Sequence, residues 1–357
     1  MRFSPLNSTP ASAHMRRVAV MLLLLTLIPA EALACACGCA VFDVGSSALL
    51  PKEGEDHGGV VYFEWDHSHQ DQNWFGSHAA PASWNGDKEI QTDWYVVGMN
   101  YMFNHDWGVN IRIPFATRSF LTDNGGPSAG PGYGGPGTYT QDLDRYHVST
   151  IGDIELTGMY TGFSNDMSKG IMFGLKLPTG DWTAYGFDRD SNVGTGSTDL
   201  ILMGFWRGMI TGDNAWQYFI QSKLLQPLLV QAQNPVVFGA LPGIYIPGTE
   251  IDTSIGIYYN NWYNVGPLDK VAPLLQLIYS HKNRDSGPSA DPADSGFDRV
   301  FISPGVDLTK VIDDPNNNTM KLYADIEIPV YQYMNGGAGG GQLVQPFLSK
   351  IILAYTF

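Results

Sequence analysis

From residue 58 to the carboxy terminus the sequence is a succession of twelve period-two stretches, joined by connections that are alternately long and short. The stretches are 58–69, 89–103, 107–120, 146–163, 169–179, 197–210, 214–229, 249–263, 270–282, 298–310, 318–333 and 343–357. Connections after the odd-numbered ones (70–88, 121–145, 180–196, 230–248, 283–297, 334–342) hold nine to twenty-five residues. Those after the even-numbered ones (104–106, 164–168, 211–213, 264–269, 311–317) hold three to seven. Successive side chains of a strand point to opposite faces, so period two means strands with two distinct faces. A soluble sandwich has no reason to sort its loops by length. A transmembrane antiparallel β-barrel does, with short periplasmic turns and long extracellular loops. The fold expected is therefore all-β, a closed barrel of about twelve strands.

The two faces differ as lipid and lumen differ. In the third stretch Trp107, Val109, Ile111, Ile113 and Phe115 oppose Asn110, Arg112, Pro114, Ala116 and Arg118. In the eleventh, Met320, Leu322, Ala324, Ile326, Ile328 and Val330 oppose Lys321, Tyr323, Asp325, Glu327 and Tyr331. The fourth sets Ile154, Leu156 and Tyr160 against Asp153, Glu155 and Thr157, and the fifth sets Ile171, Phe173, Leu175 and Leu177 against Lys176. The last stretch puts Ile351, Leu353, Tyr355 and the terminal Phe357 on one face and Lys350 on the other. A lipid-facing Arg or Lys at mid-depth costs about 2–4 kcal/mol, so the charges belong inside. Glu64, Arg112, Arg118, Asp153, Glu155, Lys176, Asp252, Lys321, Asp325 and Glu327 are the expected lumen residues, either setting a field across a path or pairing to fill it. Inward aromatic and apolar groups are expected at Tyr62, Trp94, Met172, Tyr258, Tyr323 and Tyr331. Trp107, Trp216, Tyr95, Phe103, Tyr259, Trp262, Tyr263 and Tyr279 fall near strand ends, as girdle residues do. The sixth stretch fits poorly: Ile201, Met203 and Phe205 are as apolar as Leu200, Leu202 and Trp206, which suggests cover from within.

The start of the chain is an export signal. Arg16 and Arg17 precede an apolar run from Val18 to Ile28, and Ala32-Leu33-Ala34 is a small-residue cleavage site, with translation expected from Met15. The run is too short to span a bilayer permanently. Domains are thus read as a leader over 1–34, a Cys-containing segment over 35–57 that can plug the periplasmic mouth, and a barrel over 58–357. Charged residues make up only 15% of the chain, low for a soluble protein. Cleavage removes Arg2, Arg16, Arg17 and Glu31, taking the net charge from −15 to −17, which disfavours nucleic acid as a partner.

Several clusters need weighing. Cys35, Cys37 and Cys39 are all the cysteines of the chain. They read as a thiolate site for a soft ion such as Cu(I) or Zn, as a Cys35 to Cys39 disulfide with one free thiol, or as lipidation at Cys35. His67 and His69 share a strand face, with His57 and His78 flanking them, and read as a chelating pair or as a polar rim. Gly125 to Gly137 has the composition of a flexible cover. Asp285 to Asp298 and Asp313 to Asn318 read as calcium loops or as solvated acidic loops. His147 and Ser149 resemble the pair of outer-membrane phospholipases. They share parity with Asp153 and Glu155, however, and a regular strand would turn them into the lumen, where no lipid is reached.

Four motifs recur in order: Ile151-Gly152-Asp153-Ile154, Leu175-Lys176-Leu177-Pro178-Thr179-Gly180, Gly194-Thr195-Gly196-Ser197-Thr198-Asp199 and Pro329-Val330-Tyr331-Gln332-Tyr333-Met334-Asn335-Gly336. With the terminal Tyr355-Thr356-Phe357 they resemble the outer-membrane transporter family named for a role in the meta-cleavage pathway of phenol degradation (MetA-pathway). The likeness runs from about 150 to 357, and Cys-x-Cys-Gly-Cys followed by Val41-Phe42-Asp43-Val44-Gly45 resembles the start of a subset of that family. The resemblance implies a barrel that passes small molecules, without a catalytic motif or cofactor. The expectation is passive uptake of small, partly apolar solutes across the outer membrane, with outer-membrane lipid and those solutes as the partners and the oligomeric state left open. The alternatives are a structural or adhesive barrel with a closed lumen and, further off, an outer-membrane lipase.

Overall fold

The structure, a computed structural model, describes residues 57–123, 143–230, 232–233, 243–288, 290, 292–293, 295–313, 318–336 and 341–357. The readings made on the leader, on Cys35, Cys37 and Cys39, on the segment to residue 56 and on Gly125 to Gly137 lie outside the described residues.

Twelve strands form the wall: β1 (Gly58–Gln70), β2 (Asp87–Met102), β3 (Trp107–Asp123), β4 in two pieces (Leu143–Ile151 and Ile154–Tyr160), β5 (Lys169–Leu177), β6 (Ser197–Met209), β7 (Trp216–Val230), β8 (Glu250–Tyr259), β9 (Leu268–Lys282), β10 (Phe297–Asp313), β11 (Asn318–Met334) and β12 (Leu348–Thr356). Each pairs antiparallel with its sequence neighbours, and β12 returns to β1, with Val60 opposite Thr356 and Ser68 opposite Leu348. The ring is closed through strand-to-strand pairing, which is what a hydrocarbon environment demands; the upper piece of β4, Leu143–Ile151, pairs with β3 alone. The terminal Phe357 seals the seam: its N–H donates to the Gly59 carbonyl and its own carbonyl accepts from the Gly59 N–H, both at 2.9 Å.

The outward face is apolar over most of its height. Val97 and Val330 are each 59% exposed, Ile255 52% and Leu156 51%. Repeated on every strand, such exposure makes a wall that water would not tolerate and lipid does. Ring pairs collect at the short-turn end: Trp107 with Tyr160 (4.8 Å between centroids), Trp216 with Tyr259 (4.9 Å) and Tyr355 with Phe357 (6.2 Å). The other end carries polar outward groups, including His67 with Asp93 (2.8 Å), Arg145 with Glu89 (2.8 Å) and His281 with Asp298 (2.8 Å). His67 and His69 thus sit on the outer wall beside carboxylates, and among the described residues no three His, Cys, Asp or Glu side chains converge as a metal site would require.

Several bulges change the parity of the wall, and two of them move residues singled out from the sequence. Arg112 pairs with Glu155 and Phe115 with Ile151, so three residues (152–154) face two (113–114). The alternation flips there: odd residues face inward below the bulge, and above it His147 and Ser149 face outward while Tyr146, Val148 and Thr150 turn in. In β11, Pro329 is opposite Phe301 and Tyr331 opposite Val300, which leaves Val330 as the extra residue. Tyr331 is therefore on the outer face and half-exposed, not inward as strict alternation predicts. An extra residue advances the chain by one and moves every later side chain to the other face.

Candidate functional site

The interior is layered. A single apolar cluster, most of it toward the short-turn end, takes inward side chains from eleven of the twelve strands, among them Val60 and Tyr62 (β1), Met102 (β2), Met159 (β4), Met172 (β5), Phe205 (β6), Phe219 (β7), Tyr258 (β8), Leu274 (β9), Phe301 (β10), Tyr323 (β11) and Ile352 (β12). Buried amides stand between its members, and Gln276 donates to the Tyr323 hydroxyl (3.2 Å) and to Asp325 (2.9 Å). This explains the apolar inner face of β6. Ile201, Met203 and Phe205 are buried, and the latter two pack in this cluster against inward residues of the other strands.

Above that layer the lumen is charged. Lys176 lies 2.7 Å from Asp199 and 3.1 Å from Asp153. Lys223 is 2.9 Å from Glu155. Glu64, fully buried, takes Arg112 at 3.2 Å and Lys350 at 3.4 Å, and Lys350 reaches Asp66 at 3.8 Å. Of these groups, Asp66, Arg112, Asp153, Glu155, Lys176 and Lys223 border a cavity of about 200 Å³. Its lining includes Arg112, Arg118, Lys176, Arg189, Lys223 and Lys282 against Asp66, Asp153, Glu155, Asp190, Glu250 and Asp252, six cations and six anions, with Trp94, Pro114, Leu225 and Tyr245 between them. A charge taken from water is tolerated when paired and hydrogen-bonded, a condition met by Lys176 with Asp153 and Asp199 and by Lys223 with Glu155.

The cavity is roofed by a loop that folds inward. Residues 181–196, between β5 and β6, turn back into the mouth, where Ala184 and Phe187 pack with Ile90, Phe120 and Leu343, and Phe187 stacks on Phe120 at 5.5 Å. Arg118 holds the far side, donating to the carbonyls of Ser191 (2.6 Å) and Asn192 (3.0 Å) and to Thr92 Oγ1 (2.9 Å). Asp153 holds the base. Its Oδ1 accepts from the Gly180 N–H at 3.0 Å, and its Oδ2 from the Thr195 N–H at 3.0 Å and the Thr195 hydroxyl at 2.6 Å. Gly180 and Gly194 lie backbone against backbone: a Cβ on Gly194 would stand 2.4 Å from the Gly180 carbonyl carbon, so only glycine lets the two ends of the loop meet. Arg189 then stacks on Tyr245 at 4.1 Å, linking this loop to the one before β8.

Of the residues singled out from the sequence, Arg112, Arg118, Asp153, Glu155, Lys176 and Asp252 come together around the cavity. Glu64 lies beside them, bonded to Arg112. Asp325 and Glu327 are buried inside β11, where Asp325 accepts from Gln276 (2.9 Å) and from the Ser303 hydroxyl. Lys321 faces inward near the short-turn end, opposite Thr309 and Ala354, away from the cavity. His147 and Ser149 face outward, correcting the parity expected of them; the residues opposite are Ser119 and Thr117, which supply no orienting carboxylate. Asp285 is buried and binds Lys282, the Tyr245 hydroxyl and the Gly248 N–H, the geometry of a loop anchor. The expected lumen set left out Lys223, Asp199, Lys350 and Asp66, although each lies at an inward parity position, and Arg189, whose loop gives no alternation to read.

No family model matches the chain, and no curated protein matches it. Among solved structures it is similar to an outer-membrane channel of Pseudomonas putida F1, at 12% identity and a TM-score of 0.56, over 89% of this chain and all of the other. Weaker likenesses are to the CymD monoaromatic hydrocarbon channel (9% identity, TM-score 0.38, 92% of this chain and 99% of the other) and to the toluene transporter TodX of Pseudomonas putida (7% identity, TM-score 0.34, 91% and 96%). The first of these supports the architecture, a closed twelve-stranded barrel of outer-membrane type.

Proposed function

We propose that the protein is an outer-membrane channel for passive uptake of small, partly apolar molecules, of the kind implied by its resemblance to the meta-pathway transporters. The observation that carries this reading is the apolar layer below the charged cavity. A hydrated ion crossing this region meets mostly apolar side chains, with buried amides and Asp325 set between them, and sheds much of its water with little replacement, as at a hydrophobic constriction. An apolar solute meets no such barrier, and flexible methionine and aromatic side chains move aside for it. The strong negative charge of the chain also repels anions at low salt. On this reading the leader directs export, the short turns face the periplasm, and loop 181–196 stands between the extracellular side and the cavity.

The rival reading, a structural barrel with a closed lumen, draws on that same inward loop. Liposome swelling with graded sugars and with phenol or toluene separates the two. Swelling faster than that of protein-free liposomes, with a larger protein-dependent gain for the aromatic solutes than for sugars of equal size, supports the channel; swelling no faster than protein-free liposomes with every solute supports the closed barrel. The outward turn of His147 and Ser149 removes the parity objection to a lipase; what weighs against that reading is that the residues opposite them, Ser119 and Thr117, offer no orienting carboxylate.

A further inference from the structure

The apolar layer contains a row of thioethers. Met102 is opposite Gly108, Gly108 opposite Met159, Met159 opposite Met172, and Met172 opposite Met203, so five adjacent strands, β2 to β6, place four methionines and one glycine in a single cross-strand row. All four methionines are buried in the same interior cluster. Directly opposed residues have Cβ atoms about 4.5–5.5 Å apart, which puts neighbouring thioethers within reach of a common point inside the ring. Where the row lacks a side chain, Met102 covers the gap: a Cβ on Gly108 would stand 2.4 Å from Met102 Sδ. A fifth methionine, Met167, reaches the cluster from the β4–β5 turn through a backbone φ of 50°. That left-handed conformation is unfavourable for an unbranched apolar residue and persists only where its surroundings impose it.

We propose that Met159, Met172 and Met203, with Met102 at the edge, form a thioether site for a soft monovalent d10 cation of the Cu(I) class. Thioethers are soft, neutral ligands that select such ions over the hard cations of bulk solution. A neutral ligand set suits a site within a path, since it holds the ion without adding charge attraction that would trap it. The nearest cation in the row is Lys223, opposite Met203, and its ammonium is already compensated by Glu155 at 2.9 Å. This site is independent of which uncharged solute the barrel passes.

Ag(I), redox-inert and of the same class, is the probe. The mature chain carrying Cys35→Ser, Cys37→Ser and Cys39→Ser, in detergent and chloride-free buffer, is titrated with silver nitrate while methionine methyl carbons are followed by NMR. One Ag(I) per chain is expected, with the signals of Met159, Met172 and Met203 moving together. Met159→Leu with Met172→Leu keeps the volume, and affinity is expected to fall at least about tenfold while heat-modifiable gel mobility is unchanged. Should that variant not fold, the NMR titration of the Cys→Ser chain decides. Silver retention lost with the cysteines, shifts confined to Met99 or Met320 on the outer wall, or undiminished affinity in the Leu variant would each overturn the site.

Discussion

Asp153 and Thr195 are bonded twice, through the backbone N–H at 3.0 Å and the hydroxyl at 2.6 Å to one carboxylate oxygen, and that oxygen also takes Lys176 at 3.1 Å. Three separate sequence motifs therefore meet at one side chain. Ile151-Gly152-Asp153 supplies the carboxylate at a bulge, Lys176 to Gly180 supplies an ammonium and an N–H, and Gly194-Thr195 closes the loop onto both.

Replacing Asp153 by Ala should release loop 181–196 while leaving the barrel intact. The strands are held by their own ladders, whereas the loop base loses three hydrogen bonds and Lys176 keeps only Asp199 and Thr195. Removing one member of a buried pair costs about 3–5 kcal/mol, a loss expected to be concentrated in the loop. Trypsin applied to intact cells should cut after Arg189 in the variant and not in the parent, as read by mass spectrometry. Equal protection in both would mean that Arg118 and Phe187 hold the loop without Asp153.

A second route to the same state avoids the charge. Gly194→Ala places a methyl 2.4 Å from the Gly180 carbonyl carbon and 2.5 Å from its oxygen, both backbone atoms that cannot rotate aside. The two ends of the loop must part, at a cost of about 1–3 kcal/mol. The same cut after Arg189 is expected, now with Asp153 and Lys176 present.

How far the sequence could be read follows from what enforces each feature. The strands and their lipid faces were legible because one misplaced charge in hydrocarbon is costly, so alternation is kept along Trp107 to Phe115 and Ile351 to Phe357. It misleads at Gly152-Asp153 and at Val330, where one extra residue turns His147, Ser149 and Tyr331 outward. Neither bulge breaks the apolar pattern enough to be seen beforehand, though Gly152 and the nearby Pro114 mark the first. The inward loop left no periodicity to find. Its glycines read as family signatures, and their reason, the contact of Gly180 with Gly194, exists only once β5 and β6 are side by side.

The bulge in β11 makes a positional prediction. In a chain with the three native cysteines replaced by Ser, Tyr331→Cys carrying an environment-sensitive fluorophore should be quenched by brominated lipid. Gln332→Cys, which points inward, should not be. A regular strand would give the reverse, since Glu327 faces inward and Tyr331 would follow it.

Glu64 tests the charged layer. It is the shared partner of Arg112 and Lys350, and Glu64→Gln leaves both cations with less compensation in a fully buried place. The barrel should unfold from lipid vesicles at lower urea, with a loss of up to about 3–5 kcal/mol, reduced because Asp66 stands 3.8 Å from Lys350. Adding Lys350→Met should return part of the loss, since paired removal of charge is far less costly than leaving one charge alone. A double variant as unstable as the sum of the two single variants would show that these groups are not coupled.

The apolar layer sets what can cross. Phe219 and Tyr258 pack at 5.5 Å on adjacent strands and fill the interior where β7 and β8 meet. Phe219→Ser with Tyr258→Ser removes two rings and leaves hydroxyls that water can solvate, so the layer should wet and the barrier to ions should fall. In planar bilayers the parent is expected to conduct little and the variant to show steady open-channel current. Uptake of toluene by liposomes should change much less, because the parent layer does not oppose it. If the parent already passes large ionic currents and the variant adds nothing, the layer is not the barrier, and discrimination would have to reside in the charged cavity above it.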